Sequence, residues 1–427
     1  MSEMAEDKLA IDGGTPVISA PFRRYNSLGP EEQRAVNEVM ETGVLSQFLG
    51  CWHDDFYGGA KVREFEAQCC EFFGVKHAIT VNSWTSGLIA AVGALDIEPG
   101  DEVIVSPWTM CASATAILQW NAIPVFADID PKTFNLDPES VRRNITDRTR
   151  AIMAVDIFGL SADMQALREI ADEFDLKIIS DTAQAPGALY QGRYAGTLAD
   201  IGGYSLNYHK HIHTGEGGVL VTDNDALAER LRLIRNHAEA VVADRPELPL
   251  NNMLGYNFRL GEIECAIGIE QLKKLPAIVE SRQALAERLA QGLKDLPGLT
   301  IPFVPESQSH VYYIFPMTID EQVTGCSRAE LAEALGAEGV VTSTRYQNIH
   351  LLPMYQQKIA YGSHGFPWSA DFSRKSVSYE KGICPVAEHL NDEAYMGFGM
   401  CVYELSDAEI DQIIVAFRKV WNARVAG

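Results

Sequence analysis

Short β-branched apolar runs alternate with segments of helical periodicity from Ala60 to Thr222. Gly, Pro and Asp bound these runs, a pattern that predicts βα units around a largely parallel sheet. We expect helices at Ser86–Leu95, Cys111–Trp120 and Met164–Phe174, the last N-capped by Asp163. The predicted strands are His77–Val81, Glu102–Ser106, Val125–Asp128, Ala151–Asp156, Lys177–Ser180, Gly202–Ser205 and Gly218–Thr222.

The hydrophobic pattern changes in the second half of the chain. Glu262–Leu296 is strongly helical, with a break or kink predicted at Pro276 because proline lacks an amide donor. Beyond Gly298 the pattern indicates a strand and then helices, and a polar stretch with aromatic residues indicates an extended loop. These elements are predicted at Val311–Thr318, Ser327–Leu335, Asp407–Val425 and, for the loop, Tyr361–Gly382.

Together the patterns predict an α/β protein in three parts. Residues 1–25 form an N-terminal segment, and residues 26–270 form a large domain with a mostly parallel mixed sheet flanked by helices. Residues 271–427 form a smaller C-terminal α+β domain that includes the connecting helix.

Charge narrows the classes of partner. Lys and Arg number 35 against 58 Asp and Glu, a net charge of -23 that repels nucleic acids and anionic membranes. Met1–Ile11 has neither the basic nor the apolar region of a signal peptide, and no later segment is a long uncharged apolar run. We therefore expect a soluble cytosolic protein with no nucleic-acid or membrane partner.

Eight cysteines are scattered along the chain without CxxC spacing. This distribution argues against a zinc site and a disulfide scaffold. We expect most of them to be buried thiols that pack as small hydrophobic side chains. They are Cys51, Cys69, Cys70, Cys111, Cys265, Cys326, Cys384 and Cys401.

The segment Tyr204–Gly218 carries the most informative residue, Lys210, which follows a predicted strand and precedes a glycine-rich turn. Lysine forms Schiff bases with aldehydes, and desolvation or neighbouring positive charge activates its amine by lowering its pKa. Taken alone, however, a lysine beside glycines is more often a solvated surface charge.

Two further segments carry candidate cofactor contacts. Asp181 ends a predicted strand, Gln184 follows it, and ligands bind at strand ends in α/β sheets. An aspartate there can pair with a protonated pyridine nitrogen, although Asp is also common in turns. Val81–Leu88 passes from strand to helix through Ser and Thr, whose first-turn amides suit a phosphate, although such residues often serve only as caps.

In order and spacing, these segments resemble the DegT/DnrJ/StrS family, sugar aminotransferases of the fold-type I class of pyridoxal 5'-phosphate (PLP) enzymes. The resemblance spans nearly the whole chain. The set formed by KxxxxGEGG from Lys210 and the upstream Asp181 and Gln184 is highly specific. Further matching pieces are Leu9–Val17, Val103–Leu118, Ala122–Asp130, Arg235–Glu239, Gly255–Gly268 and Cys384–His389.

The resemblance implies catalytic roles for Lys210 and Asp181 and a cofactor contact for Gln184. Lys210 would be the Schiff-base lysine and, once freed, the general acid and base. Asp181 would pair with the pyridine nitrogen of PLP, and Gln184 would contact the ring hydroxyl.

The resemblance also implies how the phosphate is held. Ser205 and the backbone amides of Trp84 and Thr85 would bind it, and Asn257 from the neighbouring subunit would complete the cup. A homodimer with active sites at its interface follows from this assignment.

The chain departs from the family pattern at two positions. Trp84 stands where the family usually has Gly, and Met110 stands where it has an aromatic residue stacked on the cofactor ring. Trp108, two residues before Met110, is the alternative residue for that ring face.

The histidines around Lys210 are also unusual in number. A zinc site built from His209, His211 and His213 would need more ligands than the sequence offers, so we expect no metal and a polar lining. These histidines or Arg345 could hold a small anionic sugar acid, because cationic donors pair best with a carboxylate.

The resemblance implies a ping-pong transfer of an amino group from glutamate or glutamine to an oxo-sugar. The acceptor would be a nucleotide-linked keto sugar, a keto-cyclitol or a free sugar acid such as 8-oxo-Kdo. One alternative is a PLP-dependent sugar dehydratase, but those relatives carry histidine where Lys210 stands. Another is a non-catalytic PLP-binding regulatory protein, which the intact Lys210, Asp181 and Gln184 disfavour.

Overall fold

The computed structural model describes residues 8–248 and 250–425, where the chain forms a seven-stranded sheet, a three-stranded sheet and a short hairpin. The large sheet contains β1 (His77–Val81), β2 (Glu102–Val105), β3 (Ile123–Phe126), β4 (Thr149–Val155), β5 (Lys177–Asp181), β8 (Ile201–Ser205) and β9 (Gly218–Thr222). The hairpin is β6 (Leu189–Tyr190) and β7 (Arg193–Tyr194), and the small sheet is β10 (Leu299–Thr300), β11 (Phe315–Ile319) and β12 (Tyr395–Phe398).

The α-helices flank both sheets. They are α1 (Pro30–Thr42), α2 (Ala60–Phe73), α3 (Trp84–Ala94), α4 (Ala112–Gln119), α5 (Pro138–Asn144), α6 (Met164–Phe174), α7 (Asp225–Arg235), α8 (Ala238–Val241), α9 (Glu262–Leu293), α10 (Glu321–Thr324), α11 (Arg328–Ala337), α12 (Pro353–Gln356), α13 (Pro385–His389) and α14 (Asp407–Arg424). Asp163 caps α6 as predicted, since its carboxylate accepts the amide of Ala166 at 3.2 Å.

The large sheet has the strand order β1-β9-β8-β5-β4-β2-β3. Strands β8, β5, β4, β2 and β3 pair in parallel, and β9 is antiparallel to both of its neighbours. Both faces are covered by helices, so most strand positions are apolar and buried. The α/β class and the mostly parallel mixed sheet are therefore confirmed.

One strand boundary differs for a clear reason. The sequence predicts Val125–Asp128, whereas β3 begins at Ile123 and includes Pro124. Proline cannot donate to a sheet ladder, but β3 is an edge strand, where that loss is tolerated. The predicted strand Val311–Thr318 likewise shifts to Phe315–Ile319.

Helix α9 continues through Pro276, so the predicted break is wrong, while the alternative of a kink stays a prediction. Leu272, Leu275 and Val279 are buried on the face that packs inward, and this packing offsets the missing hydrogen bond. The helix also runs through residue 270, the predicted domain boundary. The division at residues 25 and 270 stays a prediction, and residues 1–7 of the first segment lie outside the described chain.

The small sheet has its own apolar core. The C-terminal half of α9 packs there with α11 and α14, and the core includes Leu289, Phe315, Leu335, Phe398 and Phe417. The stretch 361–382 is a loop without regular secondary structure, as predicted.

All eight cysteines are free, but only Cys69, Cys265, Cys384 and Cys401 are fully buried, fewer than predicted. Within the described ranges, no helix is long and apolar enough to span a membrane.

Two helical glycines provide a test of the packing. Gly268→Ala in α9 is expected to destabilise the fold by about 1–3 kcal/mol, because the new Cβ would lie 2.6 Å from the buried ring of Phe65. Gly336→Ala in α11 meets nothing within 4 Å and should be neutral or stabilise by about 0.5–1 kcal/mol. Urea unfolding of both variants measures this contrast, and equal destabilisation would contradict it.

Candidate active site

The carboxyl ends of the neighbouring strands β5 and β8 and the start of α3 surround one cavity of about 190 Å³. Parallel strands direct their carboxyl ends to the same edge, which explains why residues distant in sequence meet there. The predicted site residues that line this cavity are Trp84, Thr85, Met110, Asp181, Gln184, Ser205, His209 and Lys210.

Trp108 does not face the cavity. It is fully buried, and its indole donates to Asn348 Oδ1 at 2.6 Å. Its ring packs among other core aromatics, including Phe134 and Tyr395. Trp108 therefore cannot stack on a ring in the cavity as the alternative prediction required, whereas Met110 is 61% exposed and lines it.

A turn that ends at Lys210 separates His209 from His211 and His213. The amide of Lys210 donates to the carbonyl of Asn207 at 3.0 Å, so the chain reverses direction before His211. His209 lines the cavity, but His211 is fully buried and its Nε2 lies 2.7 Å from the carbonyl oxygen of Val311. Burial holds the pKa of His211 well below its usual value, so it is a neutral core residue and not a substrate contact.

The other three predicted residues also lie outside the cavity of their own chain. His213 is half-buried, and its Nδ1 accepts the amide of Gly215 at 3.3 Å. Arg345 is exposed. Asn257 is exposed too, and its Oδ1 accepts from Arg259 Nε at 2.8 Å.

Lys210 is the buried amine of the cavity, only 7% exposed. Desolvation lowers its pKa to about 8, against the opposing influence of Asp181 and Cys401. Its ammonium lies over the ring of Tyr313, 4.4 Å from the centroid. An appreciable fraction of the amine is therefore unprotonated near neutral pH, as a nucleophilic lysine requires.

Asp181 is held in place by two side-chain donors. The Trp84 indole donates to Oδ1 at 2.6 Å, and the Ser113 hydroxyl donates to Oδ2 at 2.7 Å. The indole fits there because its neighbours Gly87 and Gly203 lack side chains; a Cβ on Gly203 would lie 2.4 Å from the ring. Trp84, one of the two departures from the pattern that the sequence resembles, thus anchors the buried carboxylate.

Gln184 is fixed at both ends of its amide. Its Oε1 accepts the amide of Phe158 at 2.9 Å, and its Nε2 donates to the Tyr346 hydroxyl at 3.0 Å. Burial raises the pKa of Tyr346 to about 12, so this hydroxyl stays protonated.

Sequence reasoning missed Ser113, Tyr313 and Tyr346. Ser113 lies in a helix that the sequence did predict. The only local signal is its position four residues after Thr109, which lines the cavity and whose hydroxyl lies 2.8 Å from that of Ser113. The two tyrosines come from the C-terminal part of the chain, where no local motif signals contact with Lys210 or Gln184.

The first turn of α3 lines one part of the cavity. Ser83 caps the helix by accepting the amide of Ser86 at 3.1 Å, and Trp84 and Thr85 follow it. Their amides lie in the first turn, where helical amides have no intrahelical partner. Ser205, 6% exposed, lines the same cavity. A buried amine, an anchored carboxylate and this helix start fit the aldehyde, pyridine nitrogen and phosphate of PLP.

The fold and the site define the fold-type I class of PLP-dependent enzymes. The chain belongs to the DegT/DnrJ/EryC1/StrS aminotransferase family, whose model matches residues 27–395. It is therefore a PLP-dependent transaminase, and its family implies an amino-acid donor and a sugar acceptor.

Relatives of the chain act in polysaccharide and amino-sugar biosynthesis, as their names state. The spore coat polysaccharide biosynthesis protein SpsC of Bacillus subtilis is 34% identical over 358 residues, 82% of this chain and 89% of that protein. GDP-perosamine synthase of Caulobacter vibrioides is 35% identical over 341 residues, which are 80% of this chain and 87% of that protein. DesV of S. venezuelae, solved in complex with a ketimine intermediate, superposes with a TM-score of 0.75 at 30% identity, covering 91% of this chain and 93% of DesV.

The pKa of Lys210 predicts the pH dependence of its acylation. In the apoenzyme, the reaction of Lys210 with a pulse of acetic anhydride should rise with a midpoint near pH 8, because only the neutral amine reacts. Lys61, whose pKa the Glu64 ion pair raises above 10.5, should react with a midpoint at higher pH. Peptide mass spectrometry measures both lysines in one sample, and a shared midpoint would contradict the assignment.

Proposed function

We propose that this chain transfers the amino group of glutamate or glutamine to an oxo-sugar, with Lys210 as the lysine that carries PLP. One observation carries the proposal: a single cavity holds the buried amine of Lys210, the anchored carboxylate of Asp181 and the start of α3. A buried amine with a lowered pKa contributes little to the stability of the fold, but it is well suited to attack an aldehyde.

Lys210 and Asp181 have different tasks in the proposed reaction. When bound, PLP supplies an electron sink for the carbanion that forms at the α carbon of the donor. Lys210, with a pKa of about 8, is suited to remove a proton from that carbon and return one to the cofactor carbon. Asp181, fixed by Trp84 and Ser113, would accept a hydrogen bond from the protonated pyridine nitrogen and so keep the ring electron-withdrawing.

The remaining contacts position the cofactor. Ser205 and the first amides of α3 would bind the phosphate, and Gln184 would contact the ring hydroxyl. Met110 would lie against the ring face. We also propose a homodimer in which Asn257 of the partner subunit completes the phosphate site, supported by the exposed position of Asn257 outside its own cavity.

For the acceptor, we favour a nucleotide-linked keto sugar over a free sugar acid. The name of the GDP-perosamine synthase, 35% identical, supports a nucleotide-linked substrate. Of the four residues expected to pair with a sugar carboxylate, only His209 lines the cavity, and burial lowers its pKa. A carboxylate would therefore find little permanent positive charge there apart from Lys210.

The two competing functions fit the site less well. A sugar dehydratase of this superfamily carries histidine where Lys210 lies. A non-catalytic binding protein has no need for an amine of lowered pKa opposite a fixed carboxylate.

Replacing the lysine tests the central assignment. Lys210→Ala should lose both the absorbance of lysine-bound PLP and at least about 1000-fold of the amino transfer, because attachment and proton transfer depend on one amine. Absorbance spectra with and without glutamate measure the first effect, and product assays the second. Lys273→Ala, on the exposed face of α9, is the control. Retention of both properties by Lys210→Ala would overturn the proposal.

The acceptor class is tested with a panel of oxo-sugars, each supplied both as the free sugar and linked to a nucleoside diphosphate. Nucleotide-linked keto sugars are expected to be converted with higher kcat/KM, because their additional binding energy helps to orient the keto carbon. Release of the oxo product of glutamate gives the rate. Preference for a free sugar acid such as 8-oxo-Kdo would contradict the favoured acceptor but leave the aminotransferase assignment intact.

A further inference from the structure

A side-chain pair joins the loop that carries Lys210 to the C-terminal part of the chain, beside the contact of His211 with Val311. The hydroxyl of Tyr313 lies 2.9 Å from His209 Nδ1, although the two residues are 104 positions apart. The same tyrosine ring lies beneath the Lys210 ammonium, with the centroid 4.4 Å away. Tyr313 therefore contacts both His209 and Lys210, two adjacent residues that line the cavity.

The direction of this hydrogen bond follows from the donors available. Burial raises the pKa of Tyr313, so its hydroxyl keeps its proton and has a hydrogen to donate. Among the described residues, the hydroxyl makes no hydrogen bond other than the one with His209 Nδ1. Donation to Nδ1 satisfies that hydrogen, and it places the imidazole proton on Nε2.

His209 is neutral in this arrangement. Burial and the nearby charge of Lys210 lower its pKa, while Glu216 and its own backbone act in the opposite direction. Tyr208 packs edge-on against the imidazole, with the two ring centroids 5.1 Å apart. A neutral imidazole with a protonated Nε2 is a hydrogen-bond donor without a positive charge.

We propose that Tyr313 is a positioning residue that fixes His209 as a neutral Nε2–H donor beside Lys210, where His209 binds a hydroxyl or carbonyl oxygen of the sugar acceptor. The inference rests on the proposed function, because it assigns part of the acceptor site. It also defines the ligand chemistry: an uncharged donor suits a sugar oxygen, whereas a carboxylate is bound best by a charged one.

The tautomer is tested first, in apoenzyme labelled with 15N-histidine. The His209 signals are identified by their absence in His209→Gln. We expect a protonated Nε2 and an unprotonated, hydrogen-bonded Nδ1, and we expect Tyr313→Phe to abolish this preference for one tautomer. A protonated Nδ1 in the wild-type protein would overturn the proposal. Neither PLP nor substrate is present, so this result is independent of the proposed function.

The acceptor contact is tested by steady-state kinetics on the PLP-loaded enzyme with its best oxo-sugar. Tyr313→Phe keeps the ring under Lys210 but loses the hydroxyl, and should raise the KM for the acceptor up to about tenfold with the KM for glutamate unchanged. His209→Gln, which retains an N–H donor, should lose less than His209→Leu. A fall in kcat alone, or an equal rise in both KM values, would overturn the acceptor contact.

A matched control removes the same atom from a neighbouring tyrosine. Tyr208 is 68% exposed, and Tyr208→Phe deletes a hydroxyl one position from His209 without touching its Nδ1. It should leave the tautomer and both KM values unchanged. If Tyr208→Phe had the same effects as Tyr313→Phe, the specific role of Tyr313 would be refuted.

Discussion

The buried amine of Lys210 is the constraint around which the site is organised. An ammonium ion removed from water is costly, and the site lowers that cost in two ways: the pKa of Lys210 falls to about 8, and Asp181 provides opposite charge. The ring of Tyr313 supplies a further favourable contact for the ammonium. The proposed attachment of Lys210 to an aldehyde would give this buried amine a chemical role.

The cost of burying a polar group also explains the residues around Asp181. A buried carboxylate at the end of a strand needs hydrogen-bond donors, and Trp84 and Ser113 supply them from two different helices. The large indole is accommodated because Gly87 and Gly203 leave room for it. Trp84 is therefore best understood together with those glycines, as one packed unit that orients the carboxylate.

The C-terminal part of the chain contributes to the site as well as to the fold. Tyr313 precedes β11 and reaches the Lys210 loop, and Tyr346 reaches Gln184. Both tyrosines have raised pKa values because they are buried, so each presents a protonated hydroxyl to the site. Residues that contact the Lys210 loop and Gln184 thus come from the C-terminal part of the chain, and one of them, Tyr346, packs against the core of the large sheet.

The sequence by itself determined the sheet and the main candidates, because both depend on local order. Alternating apolar runs predicted the seven strands of the large sheet, and strand ends placed Asp181, Ser205 and Lys210 at one edge. Only the tertiary structure decided which neighbours of these residues face the cavity. Trp108 and His211 look equivalent to Met110 and His209 in sequence, but a turn and core packing direct them inward. The contacts of Tyr313 and Tyr346 join distant segments, and packing of the whole chain, not any local pattern, creates such contacts.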